Sequence, residues 1–342
     1  MTKLSDNKNN KKRIIITGHA CNQTAVKIMN RHVKIFQNIF IYRLLDFARR
    51  EIDHISFLKP LGLTQTLFTL YNKVDQIAYL TNKELEDGYS LIKNKYGLLK
   101  SDWWVCFHAR DETYTSTDYL KNNNKSDMSI HDYRNGNIDN MLLAMDYVTS
   151  LGGYAIRFGS IAEKRLNTEN KNIIDYTFNG RSDFLDIFLV AQSKFFIGNT
   201  SGTYHISKLF SVPYAITNLI AFLMIPEQPK SLYIPKKIQD KSGKILTFEE
   251  CNKIGMFDQE KGKAFSFSDT YKKMKLTVLE NTEEEILGCV IDMFEMVSQK
   301  KINKGINLKQ ENFMSRYYSH YNDRRYAGKI SPSFIEINNI LF

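Results

Sequence analysis

The chain has 342 residues, with 47 Lys and Arg against 37 Asp and Glu for a formal net charge of +10, and is 43% hydrophobic and 13% aromatic. This is a globular composition, long enough for a substantial core, and it excludes collagen-like, coiled-coil and intrinsically disordered readings. The four cysteines, Cys21, Cys106, Cys251 and Cys289, are widely spaced and form no Cys-x-x-Cys pair. That argues against a zinc cluster or a disulfide framework and for a reducing compartment.

Residues 1–13, MTKLSDNKNNKKR, read as a basic disordered tail without the apolar stretch of a signal peptide, and no window reaches about 18 uninterrupted apolar residues. The expected location is cytoplasmic, with any membrane contact peripheral and on the inner face of the cytoplasmic membrane. The positive excess fits either a generally solvated basic surface or a face that meets anionic lipid or a phosphorylated substrate. The lysines form no aromatic-interleaved stripe of the kind that binds nucleic acid, so no nucleic-acid partner is expected.

Residues 13–17, RIIIT, read as a short buried strand, followed by a helical run through about Arg50. Residues 61–100 are mostly helical in pattern. WWVCFH (103–108) is an apolar run of strand length, and the polar stretch 109–138 after it is longer than an ordinary strand-to-helix link. Met141, Leu142, Met145 and Val148 recur at helical spacing before Gly152-Gly153. YAIRF (154–158) is the next strand, a loop crosses 173–175, and Ser182 caps a helix bearing Phe184, Ile187, Phe188 and Ala191 on one face. KFFIG (194–198), the helix TYHISKLF and the strand YAIT (214–217) continue the alternation, which implies parallel strands covered on both faces. Residues 218–280, with Pro226, Pro229 and Pro235, read as loops plus one helix near 247–255. Thr282 and Glu285 form a capping box that opens a helix over 281–297.

Three strand ends carry phosphate-compatible groups. In NTSGTYHISKLFSVP (199–213) a Ser-Gly turn precedes a helix, and Ser201, Gly202 and Thr203 either cradle a phosphate on free N–H groups or simply make a tight helix start. In FHARDETY (107–114), His108 and Arg110 stand at the end of a buried strand, where ligands bind in open α/β sheets. Arg110 either faces phosphates or pairs with Asp111 on the surface. Arg157 occupies the matching position in YAIRFGS. Asp175, Asp183 and Asp186 are weaker candidates, Asp183 fitting a helix-terminal charge better than a catalytic acid. His19, after the first strand, is either a general base or an ordinary loop histidine. Zincin, α/β-hydrolase, Walker and full dinucleotide motifs are absent from the sequence.

The series HARDETY, DYRNGNIDNMLLAMDYVTSLGGYAIRFGS, IIDYTFNGRSDFLDIFLVAQSKFFIGNTSG and, near the carboxyl end, KISPSFIEIN resembles bacterial surface-polysaccharide glycosyltransferases of GT-B type, most closely over 102–218. SGTYHISKLFSVP is similar to the nucleotide-sugar loop of heptosyltransferase-like enzymes, and HARD to the His-x-Arg strand-end motif of fucosyltransferase-like folds. The resemblance implies an α/β, GT-B-like architecture: a small amino-terminal α/β acceptor-side domain (14–100), a Rossmann-like parallel-sheet donor domain (101–298) and a carboxyl-terminal segment (299–342) that packs back on the amino-terminal domain. About 100 residues precede the motif-rich half, fewer than a GT-B half usually has.

By that resemblance His108, Arg110, Ser201, Gly202, Thr203 and His205 bind the donor nucleotide and its phosphates, and Arg157 joins them on position. The implied activity is metal-independent transfer of a hexosyl or deoxyhexosyl group from a nucleotide-sugar to a glycan, lipid-linked glycan or protein acceptor, without a cofactor. An inverting reaction needs a general base, for which Asp111, Glu112 and His19 are the choices, Asp111 foremost. The alternatives are a noncatalytic nucleotide- or glycan-binding protein on the same fold and, more distantly, a nucleic-acid-binding protein.

Overall fold

The computed structural model describes residues 14–17, 20, 22–32, 34–43, 77–111, 113, 128–220, 222–226, 228–299, 304–319 and 328–342. Strand β1 (Ile14–Thr17) and β2 (Lys34–Gln37) pair in parallel, Ile14 opposite Lys34, across helix α1 (Gln23–Met29). The expected helical run to Arg50 is therefore broken after α1. Ile35 and Phe36 suit a strand as well as a helix, and the β1 edge beside them decides the outcome.

Helix α2 (Asn82–Tyr96) starts at a capping box, in which Thr81 Oγ1 accepts from the Glu84 amide and the Glu84 carboxylate accepts from the Thr81 amide, and stops at Gly97, whose φ of 72° is left-handed. The main sheet follows: β3 (Trp104–His108), α3 (Leu142–Ser150), β4 (Tyr154–Arg157), β5 (Ile173–Asp175), α4 (Asp183–Ala191), β6 (Phe196–Gly198), α5 (Tyr204–Phe210), β7 (Tyr214–Leu219) and β8 (Ser231–Pro235). Then come β9 (Lys237–Gln239), α6 (Phe248–Lys253), α7 (Ser268–Lys273), β10 (Thr277–Leu279), α8 (Glu283–Val297), α9 (Lys304–Tyr317), β11 (Lys329–Ile330) and α10 (Pro332–Ile337).

Seven strands form one sheet in the order β11-β8-β7-β6-β3-β4-β5, every neighbouring pair parallel. From β5 to β8 this is the Rossmann-like order 3-2-1-4-5-6, with its switch point between β3 and β6. The strands are apolar runs because both faces are covered. Right-handed crossovers put α3 on one face and α4 with α5 on the other; α8 packs beside α3, and α2 on α4. Trp104 is buried under α4 and donates from Nε1 to the Leu189 carbonyl at 2.7 Å.

Two expectations change. Residues 173–175 are strand β5, not a loop, paired with Ala155–Arg157 of β4. The described residues of 218–280 form β8, β9, a 3-10 helix (Lys261–Ser266), α7 and β10 besides the expected helix near 247–255, because long-range bonds hold them: Asn218 and Asn281 exchange reciprocal amide-to-side-chain bonds at 2.6 and 2.7 Å. In the described part of 299–342 a short strand joins the large sheet. There β11 lines β8, and Asp292 of α8 accepts from the Ser333 amide and hydroxyl at 2.9 and 2.8 Å. Among the described residues no helix is long and apolar enough to cross a membrane.

Candidate functional site at the carboxyl edge of the sheet

At the switch point the chain leaves β3 through His108, Ala109, Arg110 and Asp111, and leaves β6 through Asn199, Thr200 and Ser201. The two strands approach so closely at Gly198 that a Cβ there would stand 2.6 Å from the His108 carbonyl oxygen. Gly198→Ala is therefore expected to destabilise the protein by about 1–3 kcal/mol, since backbone is in the way; a denaturant midpoint equal to that of the parent would contradict this. The His108 ring is buried, with Nδ1 2.9 Å from the Phe158 carbonyl oxygen. A carbonyl only accepts, so Nδ1 carries the proton. Burial lowers the pKa of this ring to about 4, so it is neutral near pH 7. His108 thus joins the ends of β3 and β4 as a buttress.

A segment the sequence reading left inside a long polar stretch crosses these strand ends. A 3-10 helix covers Met128–Arg134, and the chain then runs through Asn135 and Gly136 to Asn137. Gly136 is needed there: its amide donates to the Arg110 carbonyl at 2.9 Å, and a Cβ would stand 2.6 Å from Asn199 Nδ2 and 2.9 Å from Asn218 Nδ2. Asn199 Nδ2 donates to the Arg134 carbonyl at 3.1 Å, and the Asn137 amide to Glu280 Oε2 at 2.8 Å. Among the described residues the buried atoms Asn199 Oδ1 and Asn218 Nδ2 have no hydrogen-bond partner.

This crossing gathers three cations. Arg110 donates to the His131 carbonyl at 3.2 Å and to the Asn135 side-chain oxygen. Arg134 donates from Nε to Thr200 Oγ1 at 3.3 Å and from Nη2 to the Thr200 carbonyl. Lys236, between β8 and β9 and only 4% exposed, donates to the Asn135 carbonyl at 2.6 Å. Among the described residues none of the three forms an ion pair. Burial brings the Lys236 ammonium down to about 8, opposed by Glu280 and assisted by Arg110; burial and then Arg134 lower Arg110. A buried ammonium beside two half-buried guanidinium groups, none in an ion pair among the described residues, favours an anion.

The other expected residues separate. Arg157, 3% exposed, is held by other partners: it bonds the Lys164 carbonyl, lies 3.4 Å from Asp175 and sits 5.5 Å from the Phe178 ring centroid. Asp175 lies directly opposite it in the β4–β5 register and also accepts from the Leu166 amide at 2.9 Å. Asp111 accepts from the amides of Thr113 and Glu163, both at 3.0 Å, so each carboxylate oxygen holds a loop. Ser201 Oγ and Thr203 Oγ1 are 2.6 Å apart, and Ser201 Oγ accepts from the Thr203 amide at 3.3 Å. A Cβ on Gly202 would meet nothing within 4 Å, so there is open space before this turn. His205 stacks on Tyr204 at 4.2 Å, and burial, then Lys208, lowers it to about 4. Asp183 accepts from the Gln23 amide at 2.9 Å at the start of α1, and Asp186 from the Tyr176 hydroxyl at 2.7 Å and Arg181 at 2.6 Å. His19 and Glu112 lie outside the described residues. A cleft of about 310 Å³ lies beside Asn135, lined by Ala109, Asp111, Arg157, Glu163, Lys164 and Glu280 among others and by none of the three cations.

No family model and no curated protein matches the chain. One solved structure is similar: a dodecameric iron-containing heptosyltransferase, TibC, in complex with ADP-D-β-D-heptose, 13% identical, covering 61% of this chain and 59% of that one, with a TM-score of 0.29. The matched part therefore spans about three-fifths of that protein's length. A likeness this distant does not bear on the chemistry, which rests on the residues described above.

The sequence reading found Arg110 but missed Arg134, Lys236 and Asn135. Arg134 and Asn135 lie in DYRNGN, where the adjoining Asn-Gly is a turn signal. Lys236 follows a proline in an ordinary Lys-Lys pair, and no local pattern marks it. Among the described residues no group of three or more His, Cys, Asp or Glu is placed to hold a metal ion.

Proposed function

We propose that the chain is a glycosyltransferase of GT-B type that binds the diphosphate of a nucleotide-sugar at the carboxyl edge of its sheet and passes the sugar to an acceptor such as a bacterial surface glycan. The observation that carries this is the convergence of Arg110, Arg134 and Lys236, without carboxylate partners among the described residues, at the switch point of a Rossmann-like sheet. The leaving diphosphate gathers negative charge in the transition state, and fixed cations there stabilise it more than they stabilise the bound donor. The chain's own side chains supply the charge, so this reading requires no metal. The open space before Gly202 and the cleft beside Asn135 leave room for the rest of the donor. The β1-α1-β2 unit then belongs to the acceptor side. Incubation with a panel of nucleotide-sugars (GDP-, UDP-, ADP- and dTDP-linked), with release of nucleoside diphosphate as the readout, tests the reading. Release from one donor class, lost in Arg110→Gln, is expected; binding without release from any donor contradicts transfer.

One observation favours the noncatalytic alternative. Both oxygens of Asp111, the foremost candidate base, are engaged by backbone amides. A protein of that kind binds the nucleoside diphosphate as tightly as its sugar conjugate and releases nothing.

The Lys236 ammonium gives a pH dependence. Its pKa in the fold is about 8, so the charge that attracts an anion is present at pH 7 and lost above pH 8. Pyrophosphate affinity is expected to fall between pH 7 and 9 more steeply in the parent than in Lys236→Met, measured by titration calorimetry. Equal slopes would contradict the assignment.

A further inference from the structure

Asn135 serves two like charges at once. Its side-chain oxygen accepts from Arg110 and its backbone oxygen from Lys236 at 2.6 Å. Arg110 is half-buried and Lys236 buried, and Asp132 and Asp111 act on the first and Glu280 on the second without forming an ion pair. Two amide oxygens are dipoles, which hold a pair of cations less well than oxygens that carry formal charge. The arrangement has the form of a bound oxyanion, with oxygens of one residue facing two converging donors, and Asn135 also lines the adjoining cleft.

We infer that Arg110 and Lys236 form one contact pair of the phosphate site, and that in the free protein the two oxygens of Asn135 occupy the places of the ligand's phosphoryl oxygens. This inference rests on the proposed phosphate-binding reading. Binding then exchanges Asn135 for ligand, and the affinity observed is the intrinsic one reduced by the population in which Asn135 holds the pair.

The test uses the full chain with inorganic pyrophosphate as the probe, read by titration calorimetry and by thermal unfolding without ligand. Asn135→Ala removes one competing oxygen: pyrophosphate is expected to bind on the order of tenfold tighter, and the unliganded protein to melt earlier. Asn135→Asp puts a carboxylate between the cations: the unliganded protein is expected to melt later and to bind pyrophosphate at least about tenfold more weakly. A residue that only supports the fold would not move stability and affinity in opposite directions. Asn135→Ala binding no more tightly than the parent, or Asn135→Asp binding as well as the parent, overturns the inference. Should the parent bind pyrophosphate and Arg134→Gln weaken it while both Asn135 variants match the parent, this inference alone falls. Should the parent and both variants all fail to bind, the phosphate reading falls with it.

Discussion

Arg134→Gln is expected to weaken pyrophosphate binding by about 10- to 100-fold with the fold intact. A hydrogen bond to a charged group contributes about 1.5–3 kcal/mol, which is that range of affinity. Glutamine keeps a donor for the Thr200 carbonyl, one of the two bonds by which Arg134 reaches the end of β6, so the loss falls on the charge. Arg110→Gln should act in the same direction. The double variant will lose less than the sum of the two, because both cations face one ligand. Titration calorimetry on each variant, beside its melting curve, checks this. An Arg134→Gln protein with the parent's melting temperature and the parent's affinity would remove Arg134 from the site.

The second large effect concerns stability in acid. The unfolded chain takes a proton on His108 near pH 6.5, but the folded protein does so only near pH 4, because burial disfavours the charged ring more than its bond to the Phe158 carbonyl favours it. Between those values the unfolded state binds more protons, so stability falls as the pH falls. A displacement of that size corresponds to roughly 3 kcal/mol once both states are protonated. His205, also lowered to about 4, adds to the same limb. His108→Asn keeps a side-chain amide donor near the position of Nδ1–H and cannot titrate in this range. Its stability should therefore decline less than the parent's between pH 6.5 and 4 in urea unfolding. Parallel declines would mean that His108 is not buried in the neutral form.

The parts of the fold that the sequence disclosed are those whose pattern is local. WWVCFH, KFFIG and YAIT are apolar runs of strand length; β3 and β6 lie within the first two, and β7 starts with the third and runs on to Leu219; Ser182 and Thr282 are side-chain caps, and α4 and α8 begin after them. β2 and β5 were missed because four- and three-residue strands carry too little periodicity and owe their form to the partner strand. Residues 218–280 read as irregular because their order is tertiary. Phe248 and Phe257 meet Phe313, and Phe257 meets Tyr317, far along the chain as rings 4.5–6.2 Å apart, and Phe222 packs on Phe248 and Phe257.

The site divides on the same principle. Arg110 could be found because it follows a strand that could be found. Arg157 stands at a strand end, as its sequence pattern predicts, yet its side chain meets Asp175, a partner that only the β4–β5 pairing brings opposite it. Arg134 and Lys236 reach the cluster from a 3-10 turn and a strand junction whose positions depend on bonds to Thr200 and Asn135. No spacing along the chain encodes those bonds.

The central claim is that Arg110, Arg134 and Lys236 form an anion site at the switch point of the sheet. It is tested most directly by titrating the purified protein and its Arg110→Gln/Arg134→Gln double variant with pyrophosphate and with GDP, UDP, ADP and dTDP at pH 7. Saturable binding of pyrophosphate, tighter binding of one nucleoside diphosphate, and loss of both in a folded double variant is the predicted result. No binding by the parent, or equal binding by the double variant, would contradict it.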